Sequence, residues 1–220
     1  GDRTASGEVL FCNDAHMAFA QPSVWYEAHL QAGSLNYYGN HLAGLPFPAI
    51  GHTREHAWGI TMFVNDDIDL YRETIENESY LRDGEWFPLE VRREVIHVAG
   101  ADSVEFWVRS TPHGPLIEED VAMWWTFTQY PENRLHEAFY GFSRYEGIEA
   151  FERCAALVHA PGLNLMYGDA EGNIGWWASA KLPMRPEDVD TKTTIDGSNA
   201  RHDPTGWYPF SANPHSVNPS

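Results

Sequence analysis

Three short stretches hold residue types that could do chemistry. "HTREH" places His52 and His56 around Glu55, the H-x-x-E-H order of some zinc peptidases. That chemistry needs both imidazoles on one helical face, with the Glu beside them as base. Here Gly51 precedes the motif and the strand-like run "AWGITMF" follows it, so the flanks favour a polar turn. "NDDIDLY" sets Asp66 and Asp69 close together. Oxygen-rich clusters at a strand end suit Ca²⁺, and a solvated acidic turn is the ordinary alternative. The third stretch, "LNLMYGDAEGNIGWW", reads as two short strands joined by an acidic turn. Asn164 lies inside the first of them, where strand propensity disfavours it. Either it is a tolerated polar residue or its amide is aimed at something.

Nucleophilic chemistry is not announced. There is no G-x-S-x-G elbow, so an α/β-hydrolase is unsupported. "DGSNAR" reads as a polar turn around Ser198-Asn199. Cys12 and Cys154 could form at most one bridge and imply no disulfide framework.

These residues need a scaffold. "GEVLFCND", the run from Ala49 to Ile75, "EVIHVA", "SVEFWVRS" and "VAMWWTFT" supply strand candidates, rich in β-branched and aromatic residues. "GIEAFERCAALVHAPG" is the best helix. Its residues Ile148, Phe151, Ala155 and Val158 follow helical spacing, and Pro161-Gly162 stop it. The segment 186–220, rich in Pro, Gly, Asp and Asn, has little periodicity and reads as surface wrapping or a surface for further chain. The pattern is mixed and β-rich, an α+β class.

With 220 residues, 43% hydrophobic and nine Trp, the chain can build one sizeable packed domain. Its 14 Lys plus Arg against 32 Asp plus Glu give a formal charge of −18. Such a surface repels phosphate backbones, so nucleic acid is not expected as a partner. No run approaches the ~20 apolar residues of a membrane span, and no membrane partner is expected.

Four segments taken together carry a resemblance. "RTASGEVLFCNDAHMAFAQPSVWYEAHL", "FPAIGHTREHAWGITMFVNDDIDLY", "STPHGPLI" and "LNLMYGDAEGNIGWWASAKLPMR", followed by "WYPFSANPHSVNPS", resemble the penicillin acylase family in order and spacing. The resemblance runs from residue 3 to 219. It implies an N-terminal-nucleophile (Ntn) hydrolase, an αββα sandwich, here a β-rich part of one. Residues 1–220 would then be a single partial domain of the β chain. Its partners would be the α chain and the β-chain remainder of the same precursor. It implies a precursor that cuts itself, exposing a serine whose own α-amine, titrating near pH 8, can act as base. The family's Ser-Asn-x-Trp start is expected shortly before Gly1. Neither Ser6 nor Ser198 matches it, so residues 1–220 alone are expected to be inactive.

By the same resemblance each motif residue acquires an expected role. Asn164 and the backbone N–H of Met62 would form the oxyanion hole. His16 would stand near the nucleophile, with a buried structural histidine as the rival reading. Arg185 would orient the asparagine and the amine end, as its planar fork allows. Asp66, Asp69 and the carbonyl of Ile68 would bind structural calcium. Met17, Trp25 and Ile50 would line an acyl pocket, or equally belong to the core. The implied activity is hydrolysis of a linear amide, such as a β-lactam side chain or an N-acyl homoserine lactone. Periplasmic or secreted residence follows from the family alone. Three other readings remain: a ligand-binding module using exposed Trp, an acylase-like pseudoenzyme, and the zinc peptidase through His52, Glu55 and His56.

Overall fold

The computed structural model describes residues 4–219. The single partial domain expected over 1–220 divides by contacts into two compact units, each assembled from separate stretches of chain. One comprises residues 1–65, 132–181 and 208–220; the other comprises 66–131 and 182–207.

The first unit is built on a seven-stranded sheet. Its strands run in the order Trp25–Ala32, Leu35–Leu42, Ile50–His52, His56–Met62, Leu163–Asp169, Ile174–Ser179 and His215–Val217. Every neighbouring pair is antiparallel. One face of the sheet is apolar. Trp58, Leu163, Leu165, Tyr167 and Trp177 alternate inward, as the period of two requires, and are all nearly sealed from solvent. They pack with Ala138, Phe139 and Phe142 of the helix Leu135–Arg144 and with Phe151, Cys154 and Ala155 of the helix Ile148–Ala155. Phe142 and Phe151 stack with ring centroids 4.4 Å apart. The expected helix begins at Ile148 and ends at Ala155, and the chain tightens through Val158 N–H to Ala155 O. The other helix was not anticipated. Its signal is Leu135, Ala138, Phe139 and Phe142 at helical spacing.

Two expectations are corrected here. "GEVLFCND" is not a strand: residues 9–20 have no regular secondary structure. Its backbone does not join the ladder; instead the Asn13 side chain does. Nδ2 donates to Ile60 O at 3.2 Å and Oδ1 accepts from Ile60 N at 3.1 Å. A Cβ on Gly59 would stand 2.7 Å from that amide, so only glycine admits it. The C-terminal segment, in turn, is more than wrapping, because His215–Val217 closes the sheet edge beside Gly175–Trp177.

The second unit holds short sheets. Val121–Trp125 and Ile195–Asp196 flank the strand Ile68–Arg72. Glu90–Ile96 pairs with Val104–Thr111, in agreement with the strand read at "SVEFWVRS"; "EVIHVA" is strand only to Ile96, and the strand begins earlier, at Glu90. The run "VAMWWTFT" is strand only to Trp125, and Thr126–Gln129 turns helical. A buried charged cluster anchors this unit. His113 lies between Glu73 (Nδ1 to Oε1, 2.8 Å) and Asp203 (Nε2 to Oδ1, 3.0 Å), flat against the Tyr71 ring. Thr111 Oγ1 donates to Glu73, and Arg82 pairs with Asp203. Among the described residues, no helix is long and apolar enough to cross a membrane.

Candidate active site

Asn164 is the second residue of the strand Leu163–Asp169 and faces away from the apolar core, on the side shared with Met166 and Trp176. The acidic turn that follows is held by one carboxylate. Asp169 Oδ1 accepts from the N–H groups of Glu171 and Asn173, and Oδ2 accepts from Tyr167 Oη and Asn173 Nδ2. Burial alone would raise the Asp169 pKa, but these hydrogen bonds outweigh it and hold the group below the ordinary carboxylate value. The hairpin carrying Asn164 is therefore stiff at its tip.

The Asn164 amide is held at both ends. Its Nδ2 donates to Met62 O at 2.9 Å, and its Oδ1 accepts from the indole Nε1 of Trp176 at 3.2 Å. An amide nitrogen has two hydrogens. The second has no partner among the described residues.

Met62 ends the neighbouring strand, His56–Met62. It lies opposite Leu163, while the next residue, Phe63, donates its N–H to Gly162 O at 3.0 Å. Pairs in an antiparallel ladder alternate between bonded and non-bonded. The Met62 N–H therefore turns away from the Asn164 strand, to the side where Ile60 meets Asn13. Its carbonyl turns the same way, and the Asn164 amide reaches over to that carbonyl. The Asn164 amide and the Met62 peptide thus meet at one strand edge. The Met62 side chain is 61% exposed and takes no part.

The other expected residues are distributed as follows. His16 is on the irregular segment, its side chain 85% exposed and 3.0 Å from Asp14. Among the described residues nothing buries this side chain. Met17 is exposed beside it. Trp25 and Ile50 begin strands, opposite Leu42 and Asn40 respectively, and Trp25 packs against the core.

In the second unit Arg185 is tied to the acidic loop. Nε donates to Asp69 Oδ2 at 2.9 Å and Nη2 to Asp66 O at 2.8 Å. Thr191 Oγ1 donates to Asp66 Oδ2 at 2.6 Å. Burial pushes the Asp69 carboxyl up, against the lowering pull of Arg185. The other Asp69 oxygen, Oδ1, is buried with no hydrogen-bond partner. An orphaned buried carboxylate oxygen, a second carboxylate and a carbonyl form a hard-oxygen set of the type calcium takes, so these residues fit the ion in chemistry. They are fewer than its usual six to eight ligands. Among the described residues there is no group of three or more His, Cys, Asp or Glu side chains placed to hold a metal, so further oxygens would have to come from elsewhere.

"HTREH" is a hairpin turn between the strands Ile50–His52 and His56–Met62. His56 is buried, with Nε2 2.8 Å from Phe142 O and Nδ1 3.2 Å from Thr53 Oγ1. His52 Nδ1 lies 2.7 Å from Thr53 O. No helix presents the two imidazoles together, so the zinc-peptidase geometry is not formed. A cleft of about 440 Å³ between this turn and residues 168–172 lies at the far end of the strand from Asn164.

Sequence reasoning missed Trp176 and Asn13. Both act through side-chain hydrogen bonds to a neighbouring element, Trp176 across its own hairpin and Asn13 to a strand far along the chain, which no local spacing reveals.

The family model described as penicillin amidase matches residues 1–220. Among curated relatives, the acyl-homoserine lactone acylase QuiP of Pseudomonas aeruginosa is 28% identical over 84% of this chain and 24% of its own length. The penicillin acylase 2 proenzyme of a Pseudomonas species is 30% identical over 99% of this chain and 29% of its own. A solved structure of thermostable penicillin G acylase from Alcaligenes faecalis superposes with a TM-score of 0.82 at 27% identity, over 90% of this chain and 37% of that one. The chain thus spans about a quarter of the length of these curated relatives, and its fold is the β-rich part of the acylase α+β sandwich.

Proposed function

This chain belongs to the penicillin amidase family, and from that premise we propose that it supplies the oxyanion-stabilising half of an amide-hydrolysing active site. The observation that carries the reading is the doubly tethered Asn164 amide beside the turned-out Met62 N–H. The attacking serine and its α-amine base belong to sequence outside residues 1–220, so these residues alone do not turn over substrate. Attack on the amide carbonyl places negative charge on its oxygen. The second Asn164 N–H and the Met62 N–H donate to that oxygen, and neither needs to reorganise as charge develops. Collapse of the adduct expels the amine and leaves an acyl-enzyme, which water then hydrolyses to a carboxylic acid.

His16 and Arg185 keep supporting roles in this proposal. The exposed His16 meets the nucleophile's surroundings once the rest of the protein covers it, and Arg185 steadies the amine end while tied to Asp66 and Asp69. Met17, Trp25 and Ile50 contribute apolar surface to an acyl pocket completed by that remaining sequence. Calcium bound to Asp66, the Ile68 carbonyl and Asp69 would neutralise the buried Asp69 oxygen and stiffen the loop, with no part in the reaction.

Relatives named as acylases of homoserine lactones and of penicillins support an N-acyl amide of a small amine as the substrate class. The name proenzyme, printed for one of them, supports self-processing of the precursor. Periplasmic or secreted residence is proposed with it.

The test is the product of the complete gene. Intact-mass analysis should find two chains, the second starting with serine, and the purified protein should release amine from an N-acyl homoserine lactone or a penicillin. A single uncut chain with no turnover would favour the pseudoenzyme reading and overturn this one.

A further inference from the structure

We propose that Trp176 is a positioning residue for the reaction: its indole N–H sets which way round the Asn164 amide sits. The inference rests on the oxyanion reading of Asn164 and extends it to a residue with no assigned role.

An asparagine amide is nearly symmetric in shape, so packing alone does not choose between its two orientations. Only one is useful. With Nδ2 at the strand edge, a hydrogen faces the developing oxyanion. After a flip, Oδ1 would face it and repel it. The choice therefore depends on the hydrogen-bonding character of the neighbours. Met62 O can only accept and indole Nε1 can only donate. They lie at opposite ends of the amide, 2.9 Å and 3.2 Å away. A flip would break both bonds and set donor against donor and acceptor against acceptor.

The strands hold Trp176 to this task. It pairs with Met166 across one side and with Ser216 across the other, so its backbone is fixed by two neighbours. Asn164 pairs with Ala178, which makes Trp176 its diagonal neighbour on the same face. That separation is within reach of an aromatic side chain. The half-buried indole occupies the place of a water at the amide; a water there could suit either orientation, donating to Oδ1 or accepting from Nδ2. Trp177, by contrast, points into the core and gives its indole N–H to Glu152. The two adjacent tryptophans thus serve opposite faces of the sheet.

The experiment uses the processed product of the complete gene and a chromogenic N-acyl nitroanilide. Turnover is measured for wild type, Trp176→Phe, Asn164→Ala and the double variant. Trp176→Phe should lower kcat about 3- to 10-fold, the value of one hydrogen bond, with KM changed less than about twofold. Asn164→Ala should lower kcat about 10²- to 10³-fold, and adding Trp176→Phe to it should cost nothing more. Wild-type kcat in Trp176→Phe, beside a crippled Asn164→Ala, would overturn the positioning role alone. Wild-type kcat in Asn164→Ala would instead overturn the oxyanion reading. An equal loss from Trp176→Phe in both backgrounds would show a merely structural effect and also defeat the proposal. Should the Phe variant not fold, 3-benzothienylalanine at position 176 keeps the ring shape and removes only the N–H. The same kcat loss is then expected, and none would overturn the role.

Discussion

Asn164 was conspicuous in the sequence because a short polar side chain in a strand invites a reason. The resemblance names the Met62 N–H as its fellow donor; the bond present runs from the Asn164 amide to the Met62 carbonyl. Trp176 gave no such signal, since one more tryptophan in an aromatic-rich strand looks like core. Asp169 was equally silent, reading as one acid in an acidic turn, yet it accepts four hydrogen bonds. Asp169→Ala should therefore cost about 3 kcal/mol of stability, given that bonds to a charged acceptor are worth roughly 1.5–3 kcal/mol each and overlap strongly here. Denaturant unfolding of the full-length protein measures it, and a loss below ~1 kcal/mol would show that the turn holds itself.

Among the elements, strands with strong β-branched or aromatic character were legible, as was the helix from Ile148. The segment 7–14 misled because its unbroken apolar run, Val9 to Cys12, resembles a buried strand. Pairing there is done by the Asn13 side chain, which periodicity cannot detect. The helix pair offers a second test. A Cβ on Gly141 would lie 2.2 Å from Cys154 Sγ. Alanine should gain about 1 kcal/mol in helix propensity, but overpacking costs about 1–3 kcal/mol, so Gly141→Ala should lower Tm. Cys154→Ala removes the obstructing sulfur and should restore most of the loss in the double variant. If Gly141→Ala alone raised Tm, the close packing of these helices would be wrong.

For the whole molecule, the fold class was legible from the motif order, whereas the division into two units was not, because each unit draws on distant stretches of chain. The units also differ in their buried histidines. In the first, burial lowers the pKa of His41 and His56 below 6.5, outweighing the nearby groups that favour charge. Their contribution to stability is complete above pH 6.5 and is lost as pH falls, because the unfolded chain then binds protons first. In the second, burial also disfavours charge on His113. Hydrogen bonds to Asp203 and Glu73, and the charges of both, win over it and over nearby Arg82, and raise its pKa above 6.5. Its contribution is complete below 6.5 and is lost as pH rises through the folded value. Hydrogen exchange of the full-length protein should show the first unit loosening preferentially in acid. His113→Gln should destabilise most below pH 6.5 and progressively less in alkali; a destabilisation independent of pH would mean that His113 stays neutral.

Calcium tests the loop in the same preparation. Chelation should lower Tm without slowing catalysis at a temperature where the protein stays folded, and no change in Tm would remove the ion from Asp66 and Asp69. The central claim, that Asn164 donates to a tetrahedral oxyanion, is tested most directly by the affinity of the processed enzyme for a boronate inhibitor, which forms a tetrahedral adduct on the serine. Asn164→Ala should weaken that affinity about as much as it lowers kcat/KM, roughly 10²- to 10³-fold, while substrate KM stays near the wild-type value. Unchanged boronate affinity in Asn164→Ala would contradict the account.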